Sequence, residues 1–167
     1  KVLYEKYKKE KNIKVLNEDA LTFDLKNISK SKEIIIVGNL PFNISSQLLI
    51  TWISYDKWPP FYKKMYLMFQ KELGERINSK INNKSYGKLS VLTQSRCDVK
   101  ELIKAPSHIF NPKPKVDGVV LEFTPINSFH DVDIKKLKLI LKVAFKNRRK
   151  KIKNSLSEYK FIFENWE

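Results

Sequence analysis

The sequence is poor in cysteine, histidine and long apolar runs. Its one cysteine, Cys97, excludes an internal disulfide and a cysteine-based zinc site. Its two histidines, His108 and His130, stand far apart in the sequence, which favours surface or turn positions over metal ligands or a catalytic base. No apolar run approaches the roughly 20 residues of a membrane span, so we expect no membrane partner.

Acidic residues are also scarce relative to basic ones. The chain has 33 Lys and Arg against 18 Asp and Glu, a formal net charge of +15. This excess favours a polyanionic partner, with nucleic acid ahead of an anionic membrane, although a generally lysine-rich composition explains it equally well. Arginine is more informative because only four are present: Arg76, Arg96, Arg148 and Arg149.

Strand and helix patterns alternate along the first 125 residues. Buried strands are predicted at 33–39 and 65–70 from their continuous apolar runs, and each is followed by a helical pattern. The other predicted elements are a helix at 2–10, strands at 13–19, 99–105 and 116–125, helices at 45–53 and 71–78, and a mixed segment at 86–97. This order favours a doubly wound α/β sheet.

The pattern changes after Pro125. Polar residues follow it, and from Asp131 the sequence is helical throughout, with a basic block at 146–153. We therefore expect two domains, 1–125 with the α/β sheet and 126–167 as a small, incomplete helical domain.

The predicted strand at 33–39 ends in Asn39-Leu40-Pro41-Phe42, which suits the capture of a planar amine. The amine of a nucleobase is a poor nucleophile because its lone pair is delocalised into the ring. An Asn oxygen and a backbone carbonyl can accept both N–H bonds and aim the lone pair at an electrophile, while Phe42 offers a stacking face. Such a site requires an unpaired or flipped base. An ordinary turn built from Gly, Asn and Pro remains the alternative.

A second polar strand end is predicted at Asp19. Ligands of open α/β sheets bind beyond the carboxyl ends of strands, so the carboxylate could accept hydrogen bonds from an adenine amine or a ribose hydroxyl. Capping of the next turn explains the same residue without a ligand.

Several motifs together identify a family. Asn39-Leu40-Pro41-Phe42 resembles the amine-binding motif of the ribosomal RNA adenine N6-dimethyltransferases, in which the fourth residue is usually Tyr. The other stretches that resemble this family, in its order, are NEDAL (17–21), FQKELGERI (69–77), YGKLSV (86–91), FNPKPKVDGVV (110–120) and AFKNRRKKIKNSL (144–156). Together they cover most of the chain.

The resemblance implies a Rossmann-like fold with S-adenosylmethionine as methyl donor, no metal, and adenine in structured RNA as acceptor. Asp19 and Ala20 match residues at the donor's adenine, and Asn39 matches a residue shared by donor and target amine. Leu40 and Pro41 complete the amine motif. Phe42 and Phe110 match two aromatics that sandwich the flipped base, and Phe42 keeps the stacking face but lacks the usual hydroxyl. For Phe110 alone, a core aromatic before a proline loop is the simpler interpretation.

Two features of the family are missing from the chain. The Gly-x-Gly-x-Gly donor loop has no counterpart among its four glycines, and neither has the acid that holds the donor ribose. Both belong upstream of Lys1. We therefore expect a chain truncated at both ends, which binds the donor weakly by itself.

Basic residues near the predicted base pocket and on the helical segment are candidate RNA contacts. They are Lys113, Lys115, Arg148, Arg149 and Lys150. Phosphate contacts of this kind make binding depend strongly on salt. Alternatively, the lysine-rich run forms a helix face that is exposed to solvent and binds nothing. The paired arginines in an arginine-poor chain favour RNA binding instead.

The resemblance implies an enzyme that dimethylates two adjacent adenines near the 3′ end of small-subunit rRNA. Its partner is the immature small subunit. We expect a monomer that works in a bacterial cytoplasm or a mitochondrial matrix. The nearest enzymatic rival is a macrolide-resistance methyltransferase of large-subunit rRNA, and a DNA adenine methyltransferase is another. A non-catalytic assembly or transcription factor with the same fold is the alternative of a different class.

Overall fold

The computed structural model describes residues 2–28, 34–128, 132–146 and 151–157. Within these residues, four strands form one sheet: β1 (Ile34–Asn39), β2 (Tyr62–Gln70), β3 (Cys97–Ala105) and β4 (Gly118–Pro125). The helices are α1 (Val2–Tyr7), α2 (Ser45–Trp52), α3 (Lys71–Ile77), α4 (Lys88–Gln94), α5 (Ile134–Ala144) and α6 (Ile152–Leu156). None of these helices has the length and apolar character needed to cross a membrane.

The sheet is mixed, with the order β1-β2-β4-β3. The strands β1 and β2 are parallel and are joined through α2, whereas β4 runs antiparallel to both of its neighbours. This arrangement confirms the predicted α/β class, and the predicted strands at 33–39, 65–70, 99–105 and 116–125 each match one of the four. The mixed segment at 86–97 contains α4.

The core lies on the face of the sheet that α2 and α3 cover. Phe69 of β2 and Phe123 of β4 are fully buried there, with ring centroids 6.0 Å apart in an edge-to-face arrangement. Such aromatic pairs contribute roughly 0.5–1.5 kcal/mol beyond the area they bury. From α2, Leu48 and Leu49 complete this face.

The prediction that β1 is fully buried is wrong. Its side chains alternate, so that Ile34 and Ile36 pack against the core whereas Ile35 is 53% exposed and Val37 is 78% exposed. The reason is that β1 is an edge strand of the described sheet and is covered on one face.

The prediction of a strand at 13–19 is also wrong, because this segment has no regular secondary structure. A strand requires a neighbour for its backbone hydrogen bonds, and the described residues offer it none. Its exposed apolar residues Ile13 and Leu16 therefore lie outside the core.

The helix α5 begins at a side-chain cap. The Asp133 carboxylate accepts hydrogen bonds from the N–H groups of Lys135 (2.8 Å) and Lys136 (3.1 Å), and Ile134 and Leu141 reach the core. The prediction that the chain is helical throughout from Asp131 is wrong, because α5 ends at Ala144 and a turn follows at Phe145 and Lys146. The domain division at 125/126 stays a prediction.

Replacing Asp133 with Ala is expected to destabilise α5 at neutral pH and less so in acid. The Lys136 and Lys135 N–H groups hold the pKa of the Asp133 carboxyl below its ordinary value. Such a carboxyl stabilises the fold above about pH 4 and loses that contribution as the pH falls through the lower, folded-state pKa. Thermal unfolding of both proteins at about pH 7 and about pH 2.5 checks this. A Tm difference that does not change with pH contradicts it.

Candidate functional site

A tight turn joins the end of β1 to α2. The Ile44 N–H donates to the Pro41 carbonyl (3.1 Å), and the buried Ser45 hydroxyl donates to the Phe42 carbonyl (3.1 Å). Leu40 is buried beneath this turn, whereas Asn39 at the strand end is exposed. The turn is therefore fixed from both sides and holds Asn39 at the carboxyl edge of the sheet.

Strand β2 brings a further residue to the same edge. Asn39 is the register partner of Met68, since β1 and β2 run parallel and their carboxyl ends lie side by side. This is the edge at which open α/β sheets bind ligands.

A cavity of about 240 Å³ opens at this edge. Its lining comes from three separate parts of the chain: the turn after β1, strand β2 and the loop between β3 and β4. The lining residues are Asn39, Leu40, Pro41, Phe42, Met68, Phe110, Pro112 and Pro114. The cavity is smaller than the 300–1,000 Å³ typical of sites for drug-sized ligands, so it suits a single planar ring system.

All five residues that the sequence analysis assigns to the amine motif and to base stacking lie in this lining. Asn39 to Phe42 are contiguous in the sequence, but Phe110 reaches the cavity from a distant loop. Met68, Pro112 and Pro114 also line the cavity and were not predicted from the sequence. Met68 could have been found from the predicted strand at 65–70, because a parallel neighbour of β1 must end beside Asn39.

Two groups in the cavity are suited to bind an amine. Within the described residues the Asn39 side-chain amide makes no hydrogen bond, so its oxygen is available to accept one. The carbonyls of Pro41 and Phe42 are already engaged in the turn, as described above. The Leu40 carbonyl, next to Asn39, accepts no hydrogen bond within the described residues and is available as a second acceptor.

Asp19 and Ala20 lie outside the cavity lining, on an exposed turn. The Asp19 carboxylate accepts a hydrogen bond from the Leu21 N–H (2.9 Å), and its backbone carbonyl accepts one from the Phe23 N–H (2.8 Å). Turn capping is therefore what Asp19 does in this structure, and its proposed contact with a donor stays a prediction.

The candidate RNA contacts are only partly described. Lys113 and Lys115 are exposed on either side of Pro114, at the rim of the cavity. Arg148, Arg149 and Lys150 lie outside the described residues.

A larger, basic cleft of about 1,330 Å³ lies between α3, α4, α5 and α6. The cleft was not predictable from the sequence, because its cations come from elements far apart in the chain. The charged residues among its lining are Glu72, Arg76, Lys84, Lys88, Lys138, Lys142 and Lys146. Arg76 and Glu72, at i, i+4 spacing on α3, form an ion pair with 2.9 Å between nitrogen and oxygen.

Comparisons with known proteins show which family the chain resembles. A family model described as ribosomal RNA adenine dimethylase matches residues 1–162. The chain is 40% identical over 144 residues to ribosomal RNA small subunit methyltransferase A of Bradyrhizobium diazoefficiens, which covers 86% of this chain and 51% of the relative. It is 40% identical over 152 residues to the protein of the same name from Blochmanniella floridana, covering 88% of this chain and 55% of the relative. The chain thus spans about half the length of the curated relatives it matches.

Two solved structures share the fold. A dimethyladenosine transferase from Plasmodium falciparum superposes with a TM-score of 0.78 at 27% identity, over 90% of this chain and 52% of that one. The 23S rRNA methyltransferase ErmE superposes with a TM-score of 0.69 at 20% identity, over 94% of this chain and 61% of that one. The second likeness shows the fold alone, and both confirm the predicted Rossmann-like class.

Proposed function

The chain belongs to the ribosomal RNA adenine dimethylase family, and from this premise we propose that the protein is an rRNA adenine N6,N6-dimethyltransferase. The observation that carries the proposal is the cavity itself. It places an available amide at a strand end, Asn39, within one small lining that also contains two aromatic rings, Phe42 and Phe110.

Asn39 and Leu40 orient the target amine. The Asn39 side-chain oxygen and the Leu40 carbonyl accept one N–H bond each, so that the lone pair of the amine points away from both. Two positioned acceptors favour the pyramidal nitrogen that a nucleophile needs over the planar nitrogen of a free adenine. These groups contribute mainly to orientation and electrostatic stabilisation.

Phe42 and Phe110 hold the base. Both rings are half-buried in the cavity lining, and each can stack on one face of a flipped adenine. Stacking of a base on an aromatic side chain contributes about 1–3 kcal/mol. Phe42 supplies this contact although it lacks the tyrosine hydroxyl that is usual in the family.

Asp19, Ala20 and Asn39 would hold the methyl donor. S-adenosylmethionine, when bound, supplies an electrophilic methyl group. These residues fit the donor in part. The Asp19 carboxylate is exposed, and its Oδ1 accepts a hydrogen bond from the Leu21 N–H. Its Oδ2 is left to accept a hydrogen bond from an adenine amine. The glycine-rich loop and the ribose-binding acid of the family are not in this sequence.

The substrate we propose is small-subunit rRNA, at two adjacent adenines near its 3′ end. The 40% identical relatives carry the small-subunit name, whereas the 23S enzyme is 20% identical. The partner is then the immature small subunit, bound by a monomer in a bacterial cytoplasm or a mitochondrial matrix.

Neutralising Arg148 and Arg149 together is expected to weaken RNA binding and to flatten its salt dependence. Each phosphate contact that is lost reduces the slope of log K against log salt by about 1. The affinity of the full-length Arg148→Gln/Arg149→Gln protein for subunits, measured from about 50 to 200 mM salt, checks this. Neutralising Lys8 and Lys9, two exposed lysines in the turn that follows α1, is the charge-matched control. If the slope of log K against log salt does not change, the two arginines belong to a solvated surface and do not contact phosphates.

Mapping of methylated adenines tests the choice of substrate. Cells that lack the gene should lose N6,N6-dimethyladenosine from small-subunit rRNA, and the intact gene should restore it. Modification of large-subunit rRNA or of duplex DNA instead would contradict the proposal and favour one of the rival methyltransferases.

A further inference from the structure

Phe110 reaches the cavity from a loop that is held at both ends by the sheet. Ala105 at the end of β3 and Gly118 at the start of β4 are register partners, so residues 106–117 close a loop between them. The loop begins with a short 3-10 turn at Ser107–Ile109, and the Phe110 N–H donates to the Ser107 carbonyl (3.3 Å). The position of Phe110 therefore depends on this turn.

Asp117 fixes this turn from the far end of the loop. Its Oδ1 accepts a hydrogen bond from the Ser107 N–H at 2.8 Å, across ten residues of sequence. Its backbone carbonyl accepts a second from the N–H of Lys71 at 2.9 Å. Lys71 begins α3 directly after β2, the strand that carries Met68 into the cavity lining.

The bond between Asp117 and Ser107 is charge-assisted. The Ser107 N–H, with smaller contributions from the charges of Lys71 and His108, holds the pKa of the Asp117 carboxyl below its ordinary value. The carboxylate is thus ionised at neutral pH, and hydrogen bonds to an ionised acceptor are shorter and stronger than neutral ones.

The 3-10 turn has little else to hold it. None of its three residues is buried, and Ile109 is 60% exposed. Hydrophobic burial thus contributes little to its position, in contrast to the neighbouring strands. The backbone bonds within the turn fix its shape but not its direction relative to the sheet.

We propose that Asp117 is a positioning residue, which anchors the turn at Ser107 so that Phe110 stays in the wall of the cavity. It acts through Phe110 and does not touch the substrate. The inference deepens the proposed function and rests on it, because a fixed aromatic wall matters only if a base stacks there.

Hydrogen–deuterium exchange of the full-length protein tests the anchoring without any methyl transfer. Asp117→Ala should raise amide exchange about tenfold or more at Ser107 to Phe110, while the strands β2 and β4 stay protected. Asp117→Asn keeps an oxygen acceptor and should restore most of the protection. Asp98→Ala removes an exposed acid that pairs with Lys100 on β3 and is the matched control. Unchanged exchange at Ser107 to Phe110 in Asp117→Ala would overturn the proposal.

A double-mutant cycle then tests the connection to Phe110. With undermethylated subunits, Asp117→Ala should lower kcat about tenfold and leave KM for the subunit within twofold, because phosphate contacts elsewhere dominate RNA binding. In a Phe110→Ala background the same change should cause no further loss. A full tenfold additional loss there would mean that Asp117 does not act through Phe110. If the wild-type protein transfers no methyl groups, the proposed function fails, while the exchange result still decides the anchoring.

Discussion

Replacing Asn39 with Ala is expected to lower methyl transfer by about 100-fold or more and to change RNA binding by less than twofold. The Asn39 oxygen is one of two acceptors that we assign to the target amine, and its loss leaves the amine planar and misdirected. Removal of a single preorganised polar group from a reacting centre typically costs about 10²–10³ in kcat. RNA binding depends on phosphate contacts outside the cavity, so it should be retained. Single-turnover transfer and subunit affinity of the full-length variant measure the two effects separately.

Asn43 provides the matched control for this substitution. It is an exposed asparagine of the same turn, four residues further along, and it is not part of the cavity lining. Asn43→Ala should therefore transfer methyl groups at nearly the wild-type rate. Equal losses of transfer and of RNA binding in Asn39→Ala would contradict the role of Asn39 as an amine acceptor.

Replacing Gly74 with Ala is expected to destabilise the protein, although Ala is the better helix former. Gly74 lies on α3 directly against β4, where an added Cβ would stand 2.2 Å from Cγ1 of Val119. Val119 is buried and its β-branched side chain is stiff, so it cannot move aside easily. Overpacking costs typically 1–3 kcal/mol, and an overlap as severe as 2.2 Å belongs to the upper part of that range, about 2–3 kcal/mol. The gain in helix propensity offsets about 1 kcal/mol of this cost. We expect a net loss of about 1–2 kcal/mol, which lowers Tm by roughly 2–8 °C.

Gly118→Ala is the control for this effect. Gly118 is also buried against the sheet, but its added Cβ would meet its nearest neighbours at 3.5 Å, which is ordinary van der Waals contact. Its Tm should stay near that of the wild type, since the chain accommodates this methyl group. A Gly74→Ala protein as stable as Gly118→Ala would show that α3 can move away from β4.

Local sequence patterns were sufficient for the elements whose signal lies within a few residues. The apolar run at 65–70 followed by charged helix formers predicted the end of β2 and the start of α3, and the structure has them at Gln70 and Lys71. The four-residue motif starting at Asn39 predicted a site at a strand end. Both signals are short-range, because a strand end and its following turn are contiguous in sequence.

Features that depend on neighbours far along the chain were not predictable in the same way. The continuous apolar run in β1 indicates burial on both faces of the strand. Ile35 and Val37 are nevertheless exposed, because no described element covers the face on which they lie. The segment 13–19 has a strand-like composition but no partner strand in the described residues. Phe110 joined the site in the sequence analysis only through family resemblance, since its spacing alone fits a core aromatic.

We propose that adenine of small-subunit rRNA is methylated in the cavity formed by Asn39, Phe42 and Phe110. The most direct test incubates the full-length protein with radiolabelled S-adenosylmethionine and undermethylated small subunits. We expect label in N6,N6-dimethyladenosine near the 3′ end of the small-subunit rRNA, and we expect Asn39→Ala to lose it. Tight binding of the subunit without transfer of label would contradict it and would favour a non-catalytic assembly factor with the same fold.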